Sequence, residues 1–496
     1  YETTIAQNHN IGAMFVYSEE YWHTRSTGAS RNDRIHPSTS EINSALTNVQ
    51  SNSGSSASEG LRSYIGRMNY SAYDKYLLEF SFRVDGSSKF IKGHQYGFFP
   101  TVAVGWRFTE EEFLKKYLSS WLSSGKLRAS WGKLGDNSGV GRFEQLETLT
   151  AMNYMSSDVV KGFVNKKMIN KDLSWEVSTD INVGLDLGFL NNRLRTEIDF
   201  YNRLRTGMNR PSQMSIHLTG AYSAPRANIG DLLNRGLELN LTWKDKIGNV
   251  EYSVNLNGAY NRTVLKEWNE FLSRGWVYLD MPYHFLYVYE NNGIAQTWQD
   301  IYNNTPQGLS PGDVIRKDLN GDGIIDGKDK KAYPNIQRDR PTTTYGITLQ
   351  AAWKGFDISM LFNGGLGRKD FWLTDFNNTA FADRRYASTW DHWTEPWSLE
   401  NRGGEWPRLG TSTDRSDNSY WLYNMNYLRM KNIMLGYNLP KKLLSKISMT
   451  NLRIYASAEN LFTVTQYPGL DPEKKNSARD LYPINRSFSI GLNVSF

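Results

Sequence analysis

The chain ends on a stretch of strict alternation, which reads Ser487, Phe488, Ser489, Ile490, Gly491, Leu492, Asn493, Val494, Ser495 and Phe496. Large apolar side chains take every even position, and small or polar ones take every odd position. This period of two extends over about ten residues, the length that a tilted strand needs to cross a bilayer. At a soluble sheet edge so apolar a face would promote aggregation, so the pattern predicts a strand between lipid and a watery lumen.

The bulk composition excludes several other classes of protein. The 496 residues are 39% hydrophobic and 14% aromatic, and no apolar run reaches the length of a membrane-spanning helix. The 57 basic and 51 acidic residues are spread along the chain, with no basic block of the nucleic-acid-binding kind. Because the chain has no cysteine, a disulfide scaffold and a cysteine-based metal site are both excluded.

The alternation of the last strand recurs throughout the chain and predicts about fourteen strands. A change of parity between Met430 and Ile433 also predicts a β-bulge. The alternating segments lie at 11–17, 64–70, 78–84, 102–108, 127–131, 183–189, 194–200, 237–243, 250–260, 345–349, 356–362, 428–437, 452–458 and 487–496.

Short and long connections alternate between these segments. The short ones lie near 72–74, 191–193, 245–248 and 354–355, and two slightly longer ones predict short helices, one capped by Thr109 and Glu112 and one beginning at Pro440. Membrane barrels have short periplasmic turns and long outer loops, so we predict an all-β, antiparallel transmembrane β-barrel with its C-terminus in the periplasm. The long connections are 19–60, 86–97, 136–174, 207–233, 263–342, 367–424 and 463–485.

Four stretches together resemble one family, the SusC/RagA-like TonB-dependent outer-membrane transporters. They occur in the family's order and span most of the chain, and the fourth is highly specific. They are 173–200 with Trp175, Glu176, Gly184 and Asp186; 228–239 with Gly230, Asn234, Gly236 and Glu238; 312–326 with Gly312, Asp313, Asp318, Asn320, Gly321 and Asp322; and 427–462 with Lys431, Asn432, Gly436, Pro440, Glu459 and Asn460.

The resemblance implies active import across the bacterial outer membrane rather than enzymatic activity. Family members are plugged barrels of about 22 strands, so residues 1–496 would form the C-terminal part of a barrel. The plug, the TonB-contacting box and the early strands have no counterpart in this sequence, and the last strand would need a partner strand outside it. A SusD-like lipoprotein would cover the outer loops, TonB would supply the energy, and the usual cargo is an oligosaccharide.

The run 318–329 has the spacing of a twelve-residue calcium loop. Gly323 stands where such a loop turns sharply, and the ligands would be Asp318, Asn320, Asp322, the carbonyl of Ile324, Asp326 and Asp329. The last ligand is Asp rather than the usual Glu, and no helix pair is predicted on either side. We interpret the run as a Ca²⁺ site, with Mg²⁺ a second candidate, that stiffens an outer loop. A tight turn with solvated carboxylates is the alternative.

The connection 367–424 is the most aromatic region and is a candidate site for substrate or for the lid. Apolar faces of sugar rings stack on aromatic side chains, and charged groups beside them bind hydroxyls. Packing within the loop or against the lipoprotein is the alternative, which we favour for most of these residues. The candidates are Trp372, Asp383, Arg384, Arg385, Trp390, Trp393, Trp397, Trp406 and Trp421.

No catalytic motif stands out, so an enzyme is disfavoured. Three alternatives stay open beside the oligosaccharide importer. One is an oligopeptide importer of the same family. The second is a secreted, calcium-stabilised, β-rich glycan-binding or adhesion protein, and the third is a passive porin. Dependence on detergent would separate a barrel from a secreted protein, and a co-purifying lipoprotein would separate an importer from a porin.

Overall fold

The computed structural model describes most of the chain, and the account below concerns these residues only. The described segments are 1–33, 36–45, 50–118, 120–155, 159–165, 167–219, 224–270, 278–283, 285–371, 395–408, 418–444, 449–474 and 483–495. Phe496, which closes the alternating stretch, therefore lies outside them.

Strands dominate the described chain. In chain order they are β1 Glu2–Ile5, β2 His9–Arg31, β3 Gln50–Ala72, β4 Tyr76–Ser87, β5 Tyr96–Trp106, β6 Leu122–Asp136, β7 Leu149–Met155, β8 Val159–Asn165, β9 Glu176–Phe189, β10 Leu194–Thr206, β11 Asn209–Pro211, β12 Arg226–Asn228, β13 Asp231–Ile247, β14 Val250–Glu267, β15 Phe285–Tyr289, β16 Asn291–Ile294, β17 Val314–Arg316, β18 Lys330–Gln337, β19 Thr343–Trp353, β20 Phe356–Leu366, β21 Lys369–Phe371, β22 Leu422–Asn424, β23 Tyr427–Asn438, β24 Asn451–Thr465 and β25 Ser487–Ser495.

Four short α-helices lie in the connections: α1 Glu112–Leu118, α2 Ile216–Thr219, α3 Trp298–Tyr302 and α4 Lys441–Leu444. None of the helices in the described segments has the length and apolar character that crossing a membrane requires. The helix predicted at Pro440 is present, because the N–H groups of Leu443 and Leu444 donate to the Pro440 carbonyl.

Fifteen strands form one antiparallel sheet in the order β1-β2-β3-β4-β5-β6-β9-β10-β13-β14-β19-β20-β23-β24-β25. The predicted fourteen strands are all in this sheet, and β1 is one more. The prediction of an all-β antiparallel fold is confirmed. Within the described residues, β1 and β25 each pair with a single neighbour. The ten remaining strands form two-stranded sheets within the long connections.

The sheet separates an apolar from a polar face. Where β13 pairs with β14, Leu237 lies opposite Tyr260 and Leu241 opposite Leu256, on the face that we call the apolar face. Asn240 lies opposite Asn257 on the other side, the polar face. In β25 the apolar face is open, and Ile490 is 85% exposed. Because side chains alternate along a strand, the period of two places every apolar set on one surface.

Two local predictions are confirmed. The register of β23 shifts against both neighbours at one position, between Met430 and Asn432 on the β24 side, which is the predicted bulge. The tight turn between β9 and β10 has Leu190, Asn191 and Asn192 at φ of 52°, 58° and 61°. Asn tolerates this left-handed conformation better than most residues, which accounts for its use twice in the turn.

Two other predictions are wrong. The connection 19–60 is mostly strand, because β2 and β3 stay paired residue by residue from His9 and Ala72 to Arg31 and Gln50. Their outer halves are polar on both faces, so apolar periodicity could not reveal them. Thr109 does not cap a helix; its hydroxyl bonds the backbone of Gly125 instead, and α1 begins later.

Candidate functional site

The long connections lie at one edge of the sheet, where they build small sheets over buried clusters. The largest cluster combines Leu286, Val288, Phe371 and Trp421, with Trp406 packed against it. These residues come from two connections that are distant in sequence. Trp421 is 1% exposed, and its ring stacks on Trp406 at 6.2 Å between centroids. The outer loops therefore have a hydrophobic core of their own.

Trp397 is a second buried anchor. It is 6% exposed, and its indole N–H donates to Oε1 of Gln296 at 2.9 Å. Gly312 has a φ of +92° and packs so closely that a Cβ there would lie 2.4 Å from the Trp397 ring. Glycine is required at that position for both its conformation and its lack of a side chain.

The predicted aromatic site divides into two groups. Trp397 and Trp421 are buried within the outer loops, and Trp406 is partly buried there. This arrangement matches the alternative of packing within the loop, and a role of the three toward substrate or lid stays a prediction. The other candidates lie outside the described residues: Trp372, Asp383, Arg384, Arg385, Trp390 and Trp393.

The 318–329 loop is held by its own backbone. Oδ1 of Asp318 accepts the N–H of Gly321 at 2.7 Å, and Oδ2 accepts the N–H of Gly323 at 2.9 Å. The Thr305 hydroxyl donates to the same carboxylate at 3.1 Å. Desolvation alone would raise the pKa of Asp318, but the N–H groups of Gly323 and Gly321 outweigh it and hold the pKa below its ordinary value.

The other predicted ligands follow the same pattern. The two oxygens of fully buried Asp329 accept the N–H groups of Leu319 and Asp326, at 2.9 and 2.8 Å. The Asn320 side chain donates to Oδ2 of Asp322 at 2.8 Å, and Oδ1 of Asp322 accepts the Ile324 N–H. Within the described segments, no three His, Asp or Glu side chains are grouped to hold a metal. In this arrangement the acids accept hydrogen bonds from backbone N–H groups, and the Ca²⁺ site stays a prediction.

A buried ionic cluster fastens the last long connection, and the sequence did not reveal it. Arg429, whose side chain is 3% exposed, donates to Oδ1 of Asp471 at 2.9 Å and also pairs with Glu473. The guanidinium of Arg368 donates to the carbonyls of Pro472 and Glu473, at 3.1 and 3.0 Å. Arg429 of β23 and Arg368, which directly precedes β21, thus hold one short segment against the sheet.

The polar face carries a charge-balanced row at β6, β9 and β10. The guanidinium of Arg128 lies between two carboxylates, with N···O distances of 2.7 Å to Asp186 and 2.9 Å to Asp199. Gly184 lies between the two strands in the same row, and a Cβ there would be 2.6 Å from the guanidinium. Because glycine has no side chain, Gly184 leaves room for the Arg128 side chain to reach Asp199.

Amide side chains continue the polar face across β13 and β14. Asn255 donates to Oδ1 of Asn240 at 2.7 Å and to the hydroxyl of Thr242 at 2.8 Å. Asn240 in turn donates to Glu197 at 3.1 Å, and Asn257 donates to Asn255 at 3.4 Å. Asparagines at alternating strand positions were the signal in the sequence. The result is a wall rich in neutral hydrogen-bonding groups.

Comparison with known proteins identifies a matching family model and several relatives. The family model for the TonB-dependent receptor-like β-barrel matches residues 2–307. The chain is 30% identical over 476 residues to TonB-dependent receptor P3 of Formosa agariphila, covering 88% of this chain and 45% of that protein. It is also 30% identical over 456 residues to TonB-dependent receptor SusC of Bacteroides thetaiotaomicron, covering 88% and 44%.

Solved structures agree on the fold. The RagAB peptide transporter superposes with a TM-score of 0.82 at 24% sequence identity, over the whole of this chain and 54% of that one. At this identity the similarity establishes the architecture and no more. The chain spans about half the length of the curated relatives it matches, as the coverages of 45% and 44% show.

Proposed function

Because the chain belongs to the TonB-dependent receptor β-barrel family, we propose that it imports oligosaccharides across the bacterial outer membrane. Barrels of this family lie in the outer membrane and are not enzymes, so a secreted glycan-binding protein is set aside. The apolar face of the described sheet would contact lipid, and the polar face would line the lumen.

The observation that supports an oligosaccharide cargo is the chemistry of the polar face. Its amides, from Asn240 to Asn257, offer both donors and acceptors to hydroxyl groups. On the same face Arg128 is paired with two carboxylates. A neutral, hydroxyl-rich molecule would exchange hydrogen bonds with the amides of such a wall.

An oligopeptide is the second candidate cargo within the same family. RagAB is described as a peptide transporter, and the match in fold covers the whole of this chain. A peptide would also find donors and acceptors on the polar face. We favour the sugar because an oligosaccharide is the usual cargo that the resemblance to the SusC/RagA-like family implies, whereas the likeness to RagAB is one of fold.

We further propose two partners, a SusD-like surface lipoprotein over the outer loops and the TonB complex as the source of energy. Calcium binding by the 318–329 loop is a separate proposal, which rests on donor spacing alone. Each oxygen of Asp318 accepts one backbone N–H and has a second lone pair, so binding the ion does not require these hydrogen bonds to break.

Growth on defined nutrients tests the proposed cargo. A strain lacking the gene should lose growth on at least one class of neutral oligosaccharide and keep normal growth on the corresponding monosaccharide. The gene restored in trans should restore growth. Normal growth on every glycan, combined with lost growth on oligopeptides, would instead establish the peptide importer.

A further inference from the structure

Helix α3 presents two aromatic rings to solvent. Trp298 is 55% exposed and Tyr302 is 76% exposed. They are one helical turn apart, on the same face, with ring centroids separated by 6.5 Å and planes inclined by 33°. Trp397 in the same outer loops is 6% exposed, so burying a tryptophan here is feasible.

The backbone that carries these rings is anchored at the start of the helix. Thr297 and Asp300 form a reciprocal capping box, with the Thr297 N–H donating to Asp300 at 2.8 Å. Just before the helix, Ala295 is fully buried and exchanges backbone hydrogen bonds with the 312–313 segment. Gln296 is bonded to the indole of Trp397. Little backbone freedom would therefore be lost when a ligand binds the rings.

The chain segment that carries the rings is nearly uncharged and rich in amides. Residues 291–310 contain seven Asn and Gln, a single acid and no base. The acid, Asp300, is occupied by the capping box. Exposed Gln299 and Asn303 lie beside the aromatic pair and are hydrogen-bonded to each other at 2.9 Å. Aromatic faces flanked by neutral donors and acceptors complement a sugar, which has apolar ring faces and hydroxyl edges.

We propose that Trp298 and Tyr302 form a surface platform that captures a neutral oligosaccharide before it enters the barrel. The inference rests on the proposed function and adds the place of first contact. The separation of the rings is of the order of the repeat between neighbouring sugars, so two successive sugars can each face one ring. Gln299 and Asn303 then bind the hydroxyls at the edge of the platform.

Binding measurements on the full-length protein in detergent test this platform. The probes are maltohexaose, cellohexaose, laminarihexaose and xylohexaose, titrated calorimetrically. For each sugar that the wild type binds, the double variant Trp298→Ala/Tyr302→Ala should have an affinity on the order of tenfold lower. The variant Trp298→Phe/Tyr302→Phe keeps both rings and should retain binding, which separates ring stacking from misfolding.

The matched control is Trp121→Ala/Tyr117→Ala, which removes an exposed Trp and Tyr near helix α1 at the opposite edge of the sheet. It should bind as the wild type does. Equal affinity of wild type and Trp298→Ala/Tyr302→Ala for every sugar would overturn the platform and leave the importer intact. Loss of a co-purifying lipoprotein with unchanged sugar binding would assign the rings to the lid instead. A wild type that binds none of the four probes overturns the platform, and the growth test decides the cargo.

Discussion

Two buried arginines, Arg429 and Arg368, bind an outer segment of the chain to the sheet. Arg429 and Asp471 have side chains 3% and 2% exposed, so their attraction acts with little screening by water. Because both side chains are buried, removal of one would leave the other as an unpaired buried charge, which destabilises the fold. Arg368 is 1% exposed, and its guanidinium donates to four backbone carbonyls, those of Arg338, Pro472, Glu473 and Lys474.

We expect Arg429→Ala to lower the free energy of unfolding by about 3–5 kcal/mol, because it leaves Asp471 buried and unpaired. Urea titration of the protein in lipid vesicles measures this. The control is Arg62→Ala, since Arg62 and its partner Glu19 are 49% and 51% exposed. Its cost should be much smaller, because water screens the attraction of an exposed pair. Equal costs for both variants would refute the role assigned to the buried pair.

Calcium binding by the 318–329 loop is a prediction at the same scale. Titration of millimolar calcium into the protein should release or absorb heat, and Asp322→Ala should abolish the signal because it removes a central ligand. Asp172→Ala changes an exposed acid in another connection and should leave the signal unchanged. No heat in the wild type, with no difference in the variant, would favour the backbone-capped turn.

At the scale of the element, the strand places opposite chemistry on its two faces. In β25, Ile490 lies across from Ala456 on the apolar face, and its neighbour Ser489 lies on the polar face. A substitution therefore acts according to the parity of its position. The effect of the face on stability is larger than the effect of the residue's intrinsic β-propensity, because one face would contact lipid and the other water.

We expect Ile490→Arg to cost about 2–4 kcal/mol, the range for a cation on the lipid face near the middle of a bilayer. Ser489→Arg should be close to neutral, since its side chain enters the lumen. The folded fraction in lipid vesicles, followed by heat-modifiable migration on a gel, compares the two. A larger loss from Ser489→Arg would reverse the assignment of the faces.

At the scale of the whole molecule, the two edges of the sheet where the strands are connected differ in structure. The β-turns at one edge are short, as between β9 and β10, whereas the other edge carries five small two-stranded sheets. Those sheets bury tryptophans and ionic pairs, so the outer edge is a packed structure of its own. Cargo and lid would therefore meet a preformed surface, which includes the rings of Trp298 and Tyr302.

The alternation of apolar residues by itself determined the sheet. All fourteen predicted strands are present, and the bulge at Lys431 is where parity changed. Such patterns are readable because the period of two and the turn residues are local properties of the chain. The outer halves of β2 and β3 were not predicted because neither face is apolar. Backbone pairing joins them, together with side-chain hydrogen bonds such as the one between Ser26 and Ser55.

Only the tertiary structure decided which polar and aromatic residues meet. Trp397 and Trp298 look alike in sequence, yet one is buried against Gly312 and the other faces solvent. Arg128 reaches Asp199 because Gly184 leaves a gap, and Arg429 finds Asp471 across 42 residues. These contacts join distant segments, and their energies depend on burial, which no short window of sequence contains.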